Sequence, residues 1–262
     1  MLIVDMHVHT GHSVDARDDM DAMCRAAIDA GLDAIAFTEH YDLNPDDMGY
    51  GFFRPDAYSR AIDEARTRYG DRLEILKGIE FGEPHEYPAE LERMAATGDF
   101  DVILAGVHWM NGAFVGDGAL RRRLSIEAIF EAYYEAVYRT VMVGGFDVLA
   151  HVDLPKRYLG EWAMTPAAAD TPDAMLAELV RAGIALEINT SPLRRGLDEC
   201  APDLPILRRY AAAGGGPITL GSDAHSTGGI AADFDRALAL ARQAGVGPVG
   251  LVRQRHFVPL GG

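Results

Sequence analysis

Short apolar runs rich in valine and isoleucine recur along the chain, at Leu2 to Val4, Ala34 to Thr38, Leu73 to Phe81, Phe100 to Trp109, Phe146 to Val152, Ile184 to Asn189 and Pro217 to Gly221. Runs of this length fit strands buried on both faces. Between them the period becomes helical: Met20, Met23, Cys24, Ala27 and Ile28 repeat at three- and four-residue steps, as do Ile126, Ile129, Phe130, Tyr133 and Val137. Punctuation agrees. Gly31 follows the first helix and Gly183 precedes the sixth strand, while Thr171-Pro172 reads as a capped start with proline at the first helical position. Gly214 to Pro217 is a tight helix-to-strand connection, and Val249 to Val252 is a candidate for an eighth, degenerate strand.

Strand and helix thus alternate from end to end, with no long linker rich in Pro, Gly or Ser. The pattern predicts an α/β fold with a parallel sheet, as one domain over residues 1–262. Alternation alone fits a closed barrel or an open doubly wound sheet equally; a barrel needs roughly 250 residues, which this length supplies.

Charge narrows the class. The chain has 24 basic and 40 acidic residues, a net charge of -16, so it lacks the basic footprint that nucleic acid or an anionic membrane surface requires. No apolar run approaches the roughly 18 residues of a membrane span, and Met1 to Asp5 lacks the features of a signal peptide, so a cytoplasmic location is expected. Cys24 and Cys200 are too few for a disulfide framework and read as reduced packing residues.

The histidines carry the chemistry. His7, His9, His40, His108, His151 and His225 all fall at the downstream ends of expected strands, where random placement of the 9 histidines would leave roughly one, and where α/β barrels build active sites. Glu80 and Asp223 fall at such ends too. Imidazole with carboxylate and no thiolate suits a catalytic zinc, manganese or iron ion. His7 and His9, two apart on a strand, point to one face, as do Asp223 and His225 if the chain stays extended there. His12, His85 and His256 lie in expected loops or the tail and read as ordinary surface or packing histidines.

The pieces Asp5-Met6-His7-Val8-His9-Thr10, Thr38-Glu39-His40, Gly78-Ile79-Glu80, Gly106-Val107-His108, Ala150-His151-Val152-Asp153 and Gly221-Ser222-Asp223-Ala224-His225, in this order and spacing, resemble the PHP family, named for polymerase and histidinol phosphatase. Gly82 to His85, Leu154 to Tyr158 and Glu187 to Gly196 resemble its stand-alone histidinol-phosphate phosphatases. The resemblance implies a distorted seven-stranded (βα) TIM-like barrel holding two or three divalent transition-metal ions (zinc, manganese or iron). It implies His7, His9, Glu80 and Asp223 around a first ion, and Glu80, as a bridge, with His108 and His151 around a second. A third would take His40, His225 and Asp15, with His12 a nearby competitor for Asp15's role. Glu80, Asp223 and His225 would serve catalysis. Three such ions against Asp15, Glu80 and Asp223 would leave a mouth of about +3, attractive to a phosphate dianion.

The activity implied is hydrolysis of L-histidinol phosphate to L-histidinol and phosphate, a step of histidine biosynthesis, by metal-activated hydroxide and without a phosphoenzyme. The partner expected is a small phosphorylated substrate. Arg194 is the leading candidate for its phosphate, with Lys156 and Arg157 behind it, since a terminal phosphate favours cationic donors that an amide or nucleobase would not need. The alternatives are a PHP phosphoesterase for another monoester, a nucleotide or a phosphodiester; a non-catalytic metal-stabilised module; and an amidohydrolase-type deaminase, whose usual metal-binding lysine is not found. Oligomeric state is not legible in the sequence.

Overall fold

The computed structural model describes residues 2–160, 162, 164–165 and 168–261. Its strands are β1 (Val4–Val8), β2 (Ala34–Tyr41), β3 (Glu74–Gly82), β4 (Val102–Gly106), β5 (Trp109–Met110), β6 (Ala113–Phe114), β7 (Val148–Leu149), β8 (Ala185–Asn189), β9 (Ile218–Gly221), β10 (Gly250–Arg253) and β11 (His256–Pro259). Seven of them form one all-parallel sheet in the order β1-β2-β3-β4-β7-β8-β9. The ring nearly closes. A parallel bridge joins Val8 to Ala224 just beyond β9, and the backbone N–H of Asp223 donates to the carbonyl of His7 at 2.7 Å. Of the two architectures that alternation left open, the barrel is the one formed.

Two apolar cores account for the continuous hydrophobic runs. Ile35, Phe37, Ile79, Phe81, Ile103 and Ile188 point outward into the helical layer, against helices such as Met20–Asp29 and Ile126–Val143. Val4, Met6, Ala34, Ala36, Leu76, Val102, Leu104, Val148 and Ala185 fill the barrel interior, with alanines on β2 and β8. That interior core also contains Leu251 and Val252. The Val249–Val252 run is therefore not an eighth barrel strand: it becomes β10, pairs antiparallel with β11, and plugs the N-terminal end, where Arg253 binds Glu74 at 2.5 Å. With one end closed by apolar packing, the other is left for chemistry.

Other boundaries shift for local reasons. β1 begins at Val4, because Leu2 and Ile3 are exposed while Val4 to Val8 are all buried. The helix Asp170–Ala182 starts before Thr171-Pro172, with Ala169 at its N-cap making no side-chain hydrogen bond. Between Leu154 and Asp170 the chain forms a one-turn helix, Lys156–Leu159, and residues 161, 163, 166 and 167 lie outside the described residues.

Candidate metal centre

Three backbone devices aim the site residues inward. In β1 the register slips by one residue between Asp5 and Val8, where Val4 pairs with Ala34 but Val8 with Phe37. Such a bulge re-aims side chains. Met6 stays in the interior core, Val8 joins the outer one, and His7 and His9 fall on the inner side. His151, which simple alternation would send outward after Ala150, has φ 25, and Asp223 has φ 52. Left-handed conformations are strained for such residues and cluster at functional sites. Glycines make the room: a Cβ on Gly106 would lie 2.8 Å from Glu80 Oε1, and one on Gly221 2.0 Å from Glu187 Oε1.

The eight strand-end residues converge. Glu80, fully buried, sits at the centre with its two oxygens facing different partners. Oε1 lies 2.7 Å from His151 Nε2 and 3.2 Å from His108 Nε2, whereas Oε2 lies 3.2 Å from His7 Nε2, 3.5 Å from His9 Nε2 and 3.1 Å from His40 Nδ1. Asp223 Oδ1 lies 3.5 Å from His9 Nε2 and 3.8 Å from His7 Nε2. Asp15, on the loop after β1, brings its carboxylate to 3.6 Å from His40 and 3.2 Å from His225. His12 instead turns its edge to the Tyr58 ring, His85 bonds Thr140 at 2.8 Å and His256 bonds the Gln254 carbonyl, all outside the cluster. Both cysteines are buried and unpaired with one another, in keeping with a packing role.

The donor set calls for cations. Glu187 Oε1 takes the Nδ1 proton of His7 at 2.6 Å, and the carbonyl of Asp223 takes that of His225 at 3.0 Å. Each Nε2 then carries a lone pair. His7 Nε2 faces His9 Nε2 at 3.0 Å beside two carboxylates, and His225 Nε2 faces Asp15. Acceptors aimed at acceptors fit divalent ions between them, and four overlapping groups of three donors have all their ligand atoms within 4.8 Å of one another.

The electrostatics show the same crowding. Burial disfavours charge on His7, yet Glu187, Glu80 and Asp223 raise its pKa well above the usual histidine range, the same anionic pull that a cation at Nε2 would answer in place of a proton. Burial, then the neighbouring His40 and His225, hold His9 well below it. Asp223 and Glu80 resist burial and stay well below the usual carboxylate range, the first through Arg157 and His7, the second through His7, His108 and His40.

A PHP domain family model matches residues 5–191, most of the chain. The chain belongs to the PHP domain family. A probable histidinol-phosphatase of Clostridium acetobutylicum is 29% identical over 256 residues, 95% of this chain and 96% of that one. The histidinol-phosphatase of Lactococcus lactis is 26% identical over 258 residues, covering 92% and 91%. The fold superposes on the crystal structure of a histidinol phosphate phosphatase from Lactococcus lactis complexed with zinc, L-histidinol and phosphate. That match has a TM-score of 0.85 at 23% identity over 98% of each chain.

Around the PHP cluster lies a ring of residues that sequence reasoning did not assign. Glu187 also accepts from the backbone N–H of the strained His151 at 2.8 Å and from Asn189 at 3.1 Å. His9 Nδ1 meets Ser13 at 3.2 Å, and Ser13 donates to the buried Glu39 at 2.6 Å. Asp42 lies 3.4 Å from His108 Nδ1. Glu83 Oε1 accepts the backbone N–H of His108 at 2.6 Å. Burial raises both Glu39 and Glu83 to about 7. Such partners fix ring orientation and ligand basicity. Their signal was present: Glu187 and Asn189 stand at inward-facing positions of an otherwise apolar strand.

The basic residues divide differently from the expectation. Arg157, its side chain 8% exposed, binds Asp223 Oδ2 at 2.5 Å and Ser191, directly against the cluster. Arg194 bonds the Ser222 carbonyl and lines a neighbouring cavity with Arg157 and Arg195. Lys156 is turned away: it is held by Asp203 and, at 3.0 Å, by Asp153, and lines a separate cavity. Its ammonium is consumed by two carboxylates on the far side of the one-turn helix. Arg195, which follows the sixth strand beside Arg194 and is expected at the mouth with it, and Arg17, which no motif marks, line the cavity of about 380 Å³ above Glu80, His108, His151 and Asp223.

Proposed function

We propose that this PHP protein is a metal-dependent phosphomonoesterase that hydrolyses L-histidinol phosphate to L-histidinol and phosphate, serving histidine biosynthesis. The observation that carries this reading is Glu80, whose two oxygens face two separate groups of imidazoles, beneath a cavity that arginines also line. His7, His9, Glu80 and Asp223 would hold one divalent ion, Glu80, His108 and His151 a second, and His40, His225 and Asp15 a third. Zinc, manganese or iron suits these donors. Such ions, when bound, lower the pKa of water and neutralise charge on phosphoryl oxygens.

The chain's own residues do the rest. Arg157, Arg195 and Arg17 supply forked donors for the phosphate oxygens, with Arg194 beside them. Asp223 links Arg157 to the imidazoles of His7 and His9, so phosphate position and ligand position are set by one carboxylate. Asp15 and His225 face each other at 3.2 Å on the rim, where with His40 they offer the donors for the third ion. Among the described residues no helix is long and apolar enough to cross a membrane.

The test is phosphate release from L-histidinol phosphate by protein of measured metal content, beside p-nitrophenyl phosphate and a diester. The reading requires two or three bound equivalents and a preference for the histidinol ester. A preferred diester would make the protein a phosphodiesterase, and metal-loaded protein inert to the whole panel would make it a non-catalytic module.

A further inference from the structure

The cavity over the centre is chemically divided. Around the barrel, Arg195 follows β8 and Arg17 follows β1, flanking β9, whereas Asp47 follows β2 and Phe114 lies beyond β4, flanking β3 across the ring. Tyr158, after β7, stands at the boundary. Its ring meets Phe114 edge-on at 5.4 Å, while the Arg195 guanidinium lies 6.0 Å above it. The aromatic pair requires Gly116, since a Cβ there would lie 2.6 Å from Phe114 and 2.8 Å from Tyr158.

Asp47 is fixed in this wall. Trp109 Nε1 donates to Oδ2 at 2.5 Å and the Gly49 backbone N–H to Oδ1 at 2.6 Å. A carboxylate has about four acceptor sites, so roughly half remain open. Among the described residues no lysine, arginine or histidine forms an ion pair with it. A half-buried anion beside two aromatic rings is satisfied by a cation with an apolar or flat body. A neutral polyol or nucleoside would cover Asp47 without neutralising it.

We infer that Asp47, Phe114 and Tyr158 form the subsite for the alcohol half of the substrate and select an alcohol that carries a protonated amine. The inference rests on the phosphatase reading and gives it a basis for substrate choice: arginines take the phosphate on one side, and the acid and rings take the amino alcohol on the other.

The test uses zinc-loaded full-length protein and two titrations, L-histidinol against its des-amino analogue, 3-(imidazol-4-yl)propan-1-ol. Wild type is expected to bind L-histidinol about 10- to 100-fold more tightly, the scale of one charge-assisted hydrogen bond, and Asp47→Asn to erase the difference. Equal binding by wild type, or a preference that survives in Asp47→Asn, overturns the inference whatever the protein hydrolyses. In kinetics, Asp47→Asn should raise KM for L-histidinol phosphate by a similar factor and leave p-nitrophenyl phosphate within about threefold. Parallel losses on both esters would reduce Asp47 to a structural role. Amine selectivity in binding without hydrolysis of the histidinol ester would retain the subsite and remove the phosphatase reading instead.

Discussion

Glu80 Oε1 lies 2.7 Å from His151 Nε2, on the far side of its carboxylate from the histidines that face Oε2. One side chain therefore borders two donor groups. Glu80→Gln should lower activity by at least about a hundredfold and remove more than one equivalent of bound metal, since a lost anionic ligand is felt on both sides. His12→Gln should change neither by more than about twofold. Elemental analysis with kinetics decides, and equal effects of the two variants would refute the bridge.

Glu187 supports the centre from beneath, gripping His7 through one oxygen and the His151 main chain through the other. Glu187→Gln keeps the shape but loses the charge that fixes the His7 tautomer. Metal affinity should fall about 10- to 100-fold, as is usual for such outer partners. Competition with a chromogenic chelator measures it, and an unchanged affinity would show that packing alone orients His7.

Lys156 and Arg157 are neighbours with opposite allegiances. Arg157→Met should raise the inhibition constant of inorganic phosphate at least about tenfold, because it removes a donor against the cluster. Lys156→Met should leave phosphate binding within about threefold but cost on the order of 3 kcal/mol of stability, because buried Asp153 and its neighbour Asp203 lose their counter-ion. Denaturant melts and inhibition assays separate the two, and the reverse pattern would return Lys156 to the phosphate.

His85 offers a test outside the ligand cluster. Burial, with a contribution from Arg139, lowers its pKa to about 4. In the unfolded chain it titrates near 6.5. The unfolded state thus takes up the proton first, so the stability His85 contributes is complete above about pH 6.5 and is lost as pH falls toward 4. His85→Asn should flatten the pH dependence of the urea midpoint across that window. A slope unaltered by the substitution would mean that His85 is not held neutral.

Much of this molecule could be read from its residues. The apolar runs Ala34 to Thr38 and Leu73 to Phe81 form the strands Ala34–Tyr41 and Glu74–Gly82, and the helical periods form the helices Met20–Asp29 and Ile126–Val143, because parallel strands buried on both faces and one-sided helices leave strong local patterns. The histidines and carboxylates stood out for a related reason: polar residues at the ends of apolar runs have few uses other than chemistry.

Tertiary structure alone decided how those residues meet. The bulge in β1 and the left-handed turns at His151 and Asp223 reverse which side a residue faces, and no periodicity records them. Lys156 and Arg157 look alike in sequence, yet Asp153 and Asp203 claim one while Asp223 claims the other. Val249–Val252 has the composition of a barrel strand and serves as a plug because the ring is already filled by seven. Composition and spacing determine which chemistry the chain can perform, since they depend on residue type. Partner choice is made in three dimensions, where charges far apart in the chain compete for the same few ångströms.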